Sequence, residues 1–231
     1  MNKETAIIIF TRFAGDEAKI KGFANQFGKK KGTSLTKKLI SYSLKQTRKT
    51  NLPVFPFFPN RQNGNSFGEK LSNCIEEVYN NGYENVIVIG NDCPSINTSL
   101  LNEVQNKLED QKLIIGPAFD GGVYLLGLNK SAYVRKDFID IPWLTNKVSD
   151  HFFLYASKRK ITLSKLQPQL DIDNFEGLFE WTQNNRKNDL HLIFKLLINS
   201  VDNYCFSHFN EIYNVFISRL SFTLRGPPPS F

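Results

Sequence analysis

Apolar positions along the chain alternate between two periods. Ala6-Ile7-Ile8-Ile9-Phe10 is a continuous apolar run closed by polar residues, the pattern of a strand buried on both faces of a parallel sheet. Leu35, Leu39, Ile40 and Leu44 then recur at helical spacing. Val54, Phe55, Phe57 and Phe58 predict an extended segment, and Pro53, Pro56 and Pro59 put it at a sheet edge, because proline donates nothing to a ladder. Ser66-Phe67-Gly68-Glu69 reads as a capping box opening a helix with Phe67, Leu71, Ile75 and Val78 on one face. Val86-Ile87-Val88-Ile89 is the clearest buried strand. Leu100, Leu101, Val104 and Leu108 mark another helix, and Leu113-Ile114-Ile115 and Val123-Tyr124-Leu125-Leu126 two further strands.

Strands separated by helices indicate βαβ units and a mainly parallel sheet. With right-handed crossovers, the expected fold is a three-layer α/β/α sandwich. After about residue 185 the character changes. Leu190 to Leu224 is apolar, aromatic and helical in period, and Gly226-Pro227-Pro228-Pro229 cannot be helical. The expected organisation is one domain over residues 1–185 and a helical extension with a proline-rich tail over 186–231. The extension's aromatic stripe (Tyr204, Phe206, Phe209, Tyr213, Phe216 and Phe222) reads as core or, if exposed, as a dimer or partner surface.

Length and composition fit a globular chain, with 231 residues and 41% hydrophobic content. No apolar run approaches the roughly 20 residues of a membrane span, and the first run reads as a strand rather than a signal peptide. Cys74, Cys93 and Cys205 form no C-x-x-C pair, and His151, His191 and His208 no H-x-x-x-H pair. Reduced thiols in a cytoplasm are expected. The net charge of +7 is uneven: residues 1–50 carry 12 Lys/Arg against 3 Asp/Glu, a net of +9, and the remainder 17 against 19, a net of −2. That excess reads as a solvated helix face or a local phosphate site. Nucleic acid is not expected, because no recognition motif accompanies it.

Ligands of open parallel sheets sit beyond the C-terminal ends of the strands, so residues just after each strand are the candidates. Asp92, after Val86–Ile89, is the leading ligand for Mg²⁺ or Mn²⁺, which are held by one or two carboxylates plus substrate phosphates. A plain turn before Pro94 is the competing reading. Asp120-Gly121-Gly122 permits close backbone approach to a ligand or makes an ordinary hairpin. Thr11, Arg12, Lys19 and Lys21, after the first strand, suit a pyrophosphate or are surface charge. In Asp171-Ile172-Asp173 alternate carboxylates share a side. Asp171 is preferred as a second metal ligand, since Asp173-Asn174-Phe175-Glu176 is also a capping box. Cys93 has no visible base and reads as a small buried residue. Walker, Gly-x-Gly-x-x-Gly and Gly-x-Ser-x-Gly patterns are all absent.

Ile7 to Arg12, Val86 to Pro94, Gly116-Pro117-Ala118-Phe119-Asp120-Gly121-Gly122-Val123-Tyr124-Leu125-Leu126-Gly127, Pro142-Trp143-Leu144-Thr145 and Asp171-Ile172-Asp173 occur in that order. Together, over about residues 5–185, they resemble the bacterial glycosyltransferase family of the GT-A superfamily that is related to 2-phospholactate guanylyltransferase. The resemblance implies a nucleotide-diphospho-sugar transferase fold and a divalent metal. It places Asp92 at the family's metal-binding acid and Asp171 or Asp173 at the second acidic position. It sets Asp120, Gly121 and Gly122 beside the substrate, with Asp92 and Asp120 as catalytic candidates. Asn91, Trp143 and Thr145 join the substrate contacts. The family's Gly-Lys-x-Lys-Thr-Arg-type stretch appears here as Ala18-Lys19-Ile20-Lys21-Gly22-Phe23, with both lysines kept and Thr-Arg lost. Three readings stay open: a glycosyltransferase using an NDP-sugar, a nucleotidyltransferase acting on an NTP and a small phosphorylated acceptor, and a diverged binding protein.

Overall fold

The computed structural model describes residues 3–186 and 190–199. Six strands form one sheet: β1 (Lys3–Phe10), β2 (Val54–Phe57), β3 (Tyr83–Ile89), β4 (Leu113–Pro117), β5 (Val123–Asn129) and β6 (Leu163–Lys165). Their order is β2-β1-β3-β5-β4-β6. β1 runs parallel to β2 and β3, and β4 parallel to β6, but β5 is antiparallel to both neighbours. The sheet is therefore mixed. β4 and β5 are joined by a short turn, and no crossover helix intervenes to make them parallel. β2 is an edge strand, as its prolines require.

The helices are α1 (Ala14–Ile20), α2 (Phe23–Phe27), α3 (Lys29–Arg48), α4 (Phe67–Asn80), α5 (Thr98–Asp110), α6 (Arg135–Ile139), α7 (Val148–Arg159), α8 (Phe175–Asn184) and α9 (His191–Ile198). Period-two alternation sorts the strand residues into two cores. Ala6, Ile8, Val86, Val88, Ile115 and Leu126 face Leu71, Ile75 and Val78 of α4 and Phe138 and Phe152 of α6 and α7. Ile7, Ile9, Ile87, Ile89 and Ile114 face Leu101, Val104 and Leu108 of α5. This is the three-layer sandwich. A third cluster joins Phe23, Leu35 and Leu39 to Ile172, Trp181, Phe194 and Ile198, binding α8 and α9 to α2 and α3.

Two caps refine the sequence reading. Ser66 caps α4 by accepting from the Glu69 N–H at 3.1 Å, but the Glu69 carboxylate reaches the N–H of Asn65, not Ser66. At α8 the cap is Asn174, which accepts from the Gly177 N–H at 2.8 Å, and not Asp173. The helix starts one residue later than the capping box predicts, and this frees the Asp173 carboxylate. Within the predicted extension, α9 occupies the start. The whole aromatic stripe from Tyr204 to Phe222, with Cys205 and His208, lies outside the described residues. Among the described residues no helix is long and apolar enough to cross a membrane.

Candidate active site

A cleft of about 820 Å³ opens at the C-terminal ends of β1 and β3, beside the β4–β5 turn. Thr11, Arg12, Lys21, Asn91, Asp92, Asp120, Gly122, Trp143, Thr145, Asp171 and Asp173 line it, so nearly all the candidates converge there. Their convergence follows from topology, since each stands just beyond a strand or on a loop leaning over the strand ends. Lys19 and Gly121 do not join them: Lys19 is exposed on α1 and faces Asp16 at 3.9 Å, and Gly121 lies against Asn146 behind the lining.

Side chains stitch the floor together. The Thr11 hydroxyl donates to Asn91 Oδ1 at 2.9 Å, joining the ends of β1 and β3. Gln62 Nε2 donates to the carbonyls of Thr11 and Phe57, each at 2.7 Å, joining β1 to β2. The Asp92 carbonyl accepts the Ile172 N–H at 2.7 Å, which brings residues 171–173 to the end of β3. The buried Asn91 Nδ2 has no hydrogen-bond partner among the described residues.

One wall comes from the β4–β5 turn and the loop before α7. Ala118 N–H donates to the Gly122 carbonyl at 3.0 Å, and Asp120 Oδ1 accepts the Gly122 N–H at 2.8 Å. The segment is thus both a hairpin and a cleft wall. Gly121 has φ +89°, and a Cβ there would lie 2.0 Å from the Asn146 carbonyl oxygen, so the turn and the loop touch through bare backbone. Trp143 is clasped by Phe67, Phe138 and Phe152, and its Nε1 donates to the Phe138 carbonyl at 2.9 Å. The Thr145 hydroxyl donates to the Pro142 carbonyl at 2.7 Å. Between them Leu144, also at the cleft, takes φ +63° and is 72% exposed. A left-handed leucine is strained, and strain of this kind gathers at functional sites.

Lys21 is not a free phosphate ligand. Its side chain is 4% exposed, and its ammonium donates to the Ile172 carbonyl at 2.6 Å and to Asp173 Oδ1 at 2.7 Å. Glu17 Oε1 lies 3.4 Å away and Asp92 Oδ2 3.6 Å away. Burial by itself would lower the lysine's pKa, but Asp92, Asp173 and Glu17 outweigh it and raise it well above the ordinary value. Glu17, which is buried, also meets Arg12 Nη1 at 3.3 Å. Sequence reading missed its role, though the i,i+4 spacing of Glu17 on α1 and Lys21 just past its end was its signal. Gln62 and Lys70, both lining the cleft, were missed too.

Asp171 is the opposite case. Its Oδ1 is sealed from solvent and has no hydrogen-bond partner among the described residues. Burial first, then the charges of Asp92, Asp173 and Asp120, push its carboxyl well above the usual range, against a weaker pull from Lys21. Burial, with Asp171 and Asp92, also pushes the Cys93 thiol up, so it stays protonated, as a buried structural cysteine should. Among the described residues no three His, Cys, Asp or Glu are arranged to hold a metal. Of the two acids expected to pair with Asp92, Asp173 has its Oδ1 held by Lys21, which leaves Asp171 as the second carboxylate. Asp92 and Asp171 still fit a divalent ion in the manner of magnesium sites, with one or two carboxylates and substrate oxygens completing the sphere. The sealed, unpartnered Asp171 oxygen is the observation that supports the fit.

Fold and cleft together define a nucleotide-diphospho-sugar transferase fold. A proposed nucleotide-diphospho-sugar transferase from Desulfovibrio desulfuricans G20 superposes with a TM-score of 0.74 at 19% identity, covering 92% of this chain and 96% of that one. Residues 42–145 match the model of the DUF2064 family, described as uncharacterized proteins conserved in bacteria. More distant are 4-diphosphocytidyl-2C-methyl-D-erythritol synthase from Anaerococcus prevotii DSM 20548 (TM-score 0.45, 11% identity, covering 79% of this chain and 99% of that one) and the manganese complex of Rv0371c from Mycobacterium tuberculosis H37Rv (TM-score 0.41, 11% identity, covering 77% and 98%). No curated protein matches the chain. The resemblance read from the sequence motifs is borne out at the level of fold.

Proposed function

We propose that this chain is a transferase that uses a nucleotide donor, and that the reaction is glycosyl transfer from an NDP-sugar. The observation that carries the reading is the convergence of Asp92, Asp120 and Asp171 with Arg12 and Lys70 in one cleft at the strand ends. Arg12 is 43% exposed and spends one nitrogen on Glu17, so its remaining donors face donor phosphates. Lys70, half-buried on α4, is the second cation available to them. Asn91 offers its unpartnered amide to a donor oxygen. Asp120, held by the Gly122 N–H through Oδ1, keeps Oδ2 for the proton of the acceptor hydroxyl. Trp143 forms the apolar wall, and its packing keeps water from that side of the cleft. Asp92 and Asp171 are the residues to hold Mg²⁺ or Mn²⁺, which when bound neutralises charge on the leaving diphosphate.

The transferase domain of this reading spans residues 1–185, with the segment from 186 as an extension, and the setting is cytoplasmic, where the free thiols of Cys74 and Cys93 stay reduced. The test is calorimetric titration with a panel of NTPs and NDP-sugars, with and without Mg²⁺ or Mn²⁺, using Asp92→Ala as control. Metal-dependent binding that the variant loses supports the reading. Pyrophosphate release on turnover would move it to nucleotidyl transfer, and no nucleotide binding under either metal would leave a binding protein of another kind.

A further inference from the structure

Lys21 holds Asp173, which the sequence left open as the alternative to Asp171 beside Asp92. We propose that Lys21 is a built-in competitor cation that limits the divalent site to Asp92 and Asp171, so that the ion binds weakly to the protein alone and firmly only together with the donor's phosphates. The inference rests on the reading above for the identity of the site, and on Lys21's own contacts for its content.

The lysine ammonium has three protons. Two are taken by the Ile172 carbonyl at 2.6 Å and Asp173 Oδ1 at 2.7 Å, and the third lies among Glu17 at 3.4 Å and Asp92 at 3.6 Å. Glu17 and Asp173 Oδ1 are thereby engaged by the lysine, whose charge also disfavours a second cation at Asp173 Oδ2. Asp92 feels the same positive charge while staying accessible, with its side chain 31% exposed. Asp171 keeps an oxygen with no partner. Against the carboxylates of Glu17, Asp92 and Asp173 stand only Lys21 and Arg12, so one negative charge stays uncompensated, and Asp120 adds to it at the rim. The site therefore attracts a divalent ion but presents too few ligands to complete its sphere, and phosphate oxygens supply the rest. Lys21 cannot swing away to release Asp173, because it is sealed under residues 171–173 and its ammonium is bonded to their backbone.

Removing the lysine charge frees Asp173 Oδ1 and lifts a repulsion a few ångströms from Asp92 and Asp173. Affinity for Mn²⁺ alone should rise on the order of tenfold or more. The experiment titrates the full chain with Mn²⁺, read as protein-bound manganese by equilibrium dialysis and by thermal melting, with and without inorganic pyrophosphate on both sides of the membrane as a base-independent probe. Wild type should bind Mn²⁺ weakly alone and more tightly with pyrophosphate. Lys21→Met should bind Mn²⁺ alone at least about tenfold more tightly, and its melting temperature should climb with Mn²⁺ more steeply than that of wild type. Lys21→Arg, which keeps the charge, should resemble wild type. Wild type binding Mn²⁺ as tightly without pyrophosphate as with it would overturn the proposal. So would a folded Lys21→Met chain that binds no more tightly. Should Lys21→Met fail to fold unless Mn²⁺ is added, the ion has replaced the lysine and the proposal stands. Should it fail to fold even then, the wild-type comparison decides. A negative nucleotide panel would sink the transferase reading while leaving the comparison with Mn²⁺ alone intact.

Discussion

Replacing Asp171 by asparagine should make the metal-free protein more stable at neutral pH, although it deletes a proposed ligand. The native carboxyl has a sealed oxygen without a partner and three acidic neighbours, Asp92, Asp173 and Asp120. Burial and those charges raise its pKa, so above the unfolded value of about 3.9 the folded state holds a proton that the unfolded state has released. Asp171 therefore costs nothing below that pH, and its cost grows as pH climbs through the folded pKa. Asparagine keeps the shape and has no charge to desolvate. Desolvating the charge beside three carboxylates costs about 1–3 kcal/mol beyond the neutral amide, which is no better hydrogen-bonded, and at about 2–4 °C per kcal/mol this corresponds to roughly 2–12 °C in melting temperature. The assay is thermal unfolding in a chelator at about pH 4 and about pH 7, comparing variant with wild type. The variant's advantage should be small in acid and large at neutrality. An Asp171→Asn chain no more stable than wild type at neutral pH, or an advantage independent of pH, would refute the reasoning. A residue that weakens its own fold in this way is what a functional site is expected to contain.

Three further outcomes follow from the cleft's construction. Gly121→Ala puts a Cβ 2.0 Å from the Asn146 carbonyl at a φ of +89°, and should cost about 2–4 kcal/mol in urea unfolding. Gln62→Ala strips one donor from the carbonyls of Thr11 and Phe57 and should cost about 1–3 kcal/mol, measured the same way; an unchanged midpoint would mean water replaces the amide without loss. Cys93, with its thiol pushed up by burial, should resist iodoacetamide in the folded protein and react once denaturant is added, which mass spectrometry of the alkylated peptide reads directly.

The features visible in the sequence are those with a hydrophobic period or a strand-end motif. β1 and β3 are legible because both faces are buried and the runs are unbroken. α4 is legible because its stripe and its Ser66 cap agree. Where one period masks another, the reading fails. α7 buries Val148, Phe152, Tyr155 and Ala156, but Phe153 and Leu154 stand exposed beside them and blur the stripe. α1 is hidden for a different reason, since part of its buried face is Glu17, a polar residue with no hydrophobic signature. Asp173 and Asn174 are both good caps, and only the packing of α8 selects Asn174 and frees Asp173. The same limit governs the site. Spacing announces that Asp92 follows a strand and that Asp171 and Asp173 share a side, but it does not reveal that a lysine just past the first helix reaches Asp173 far along the chain. Charge along a sequence records what each residue could pair with, and the fold decides whether a lysine serves a phosphate or a carboxylate. Here α1 packs against α3, the Thr36 hydroxyl donates to the Ala14 carbonyl at 2.7 Å, and Lys21, one residue past the end of α1, is directed inward under residues 171–173. A phosphate-binding reading of Lys19 and Lys21 as a pair therefore fails on geometry: one is turned to solvent, and the other is consumed by the carboxylates it was expected to leave for a metal.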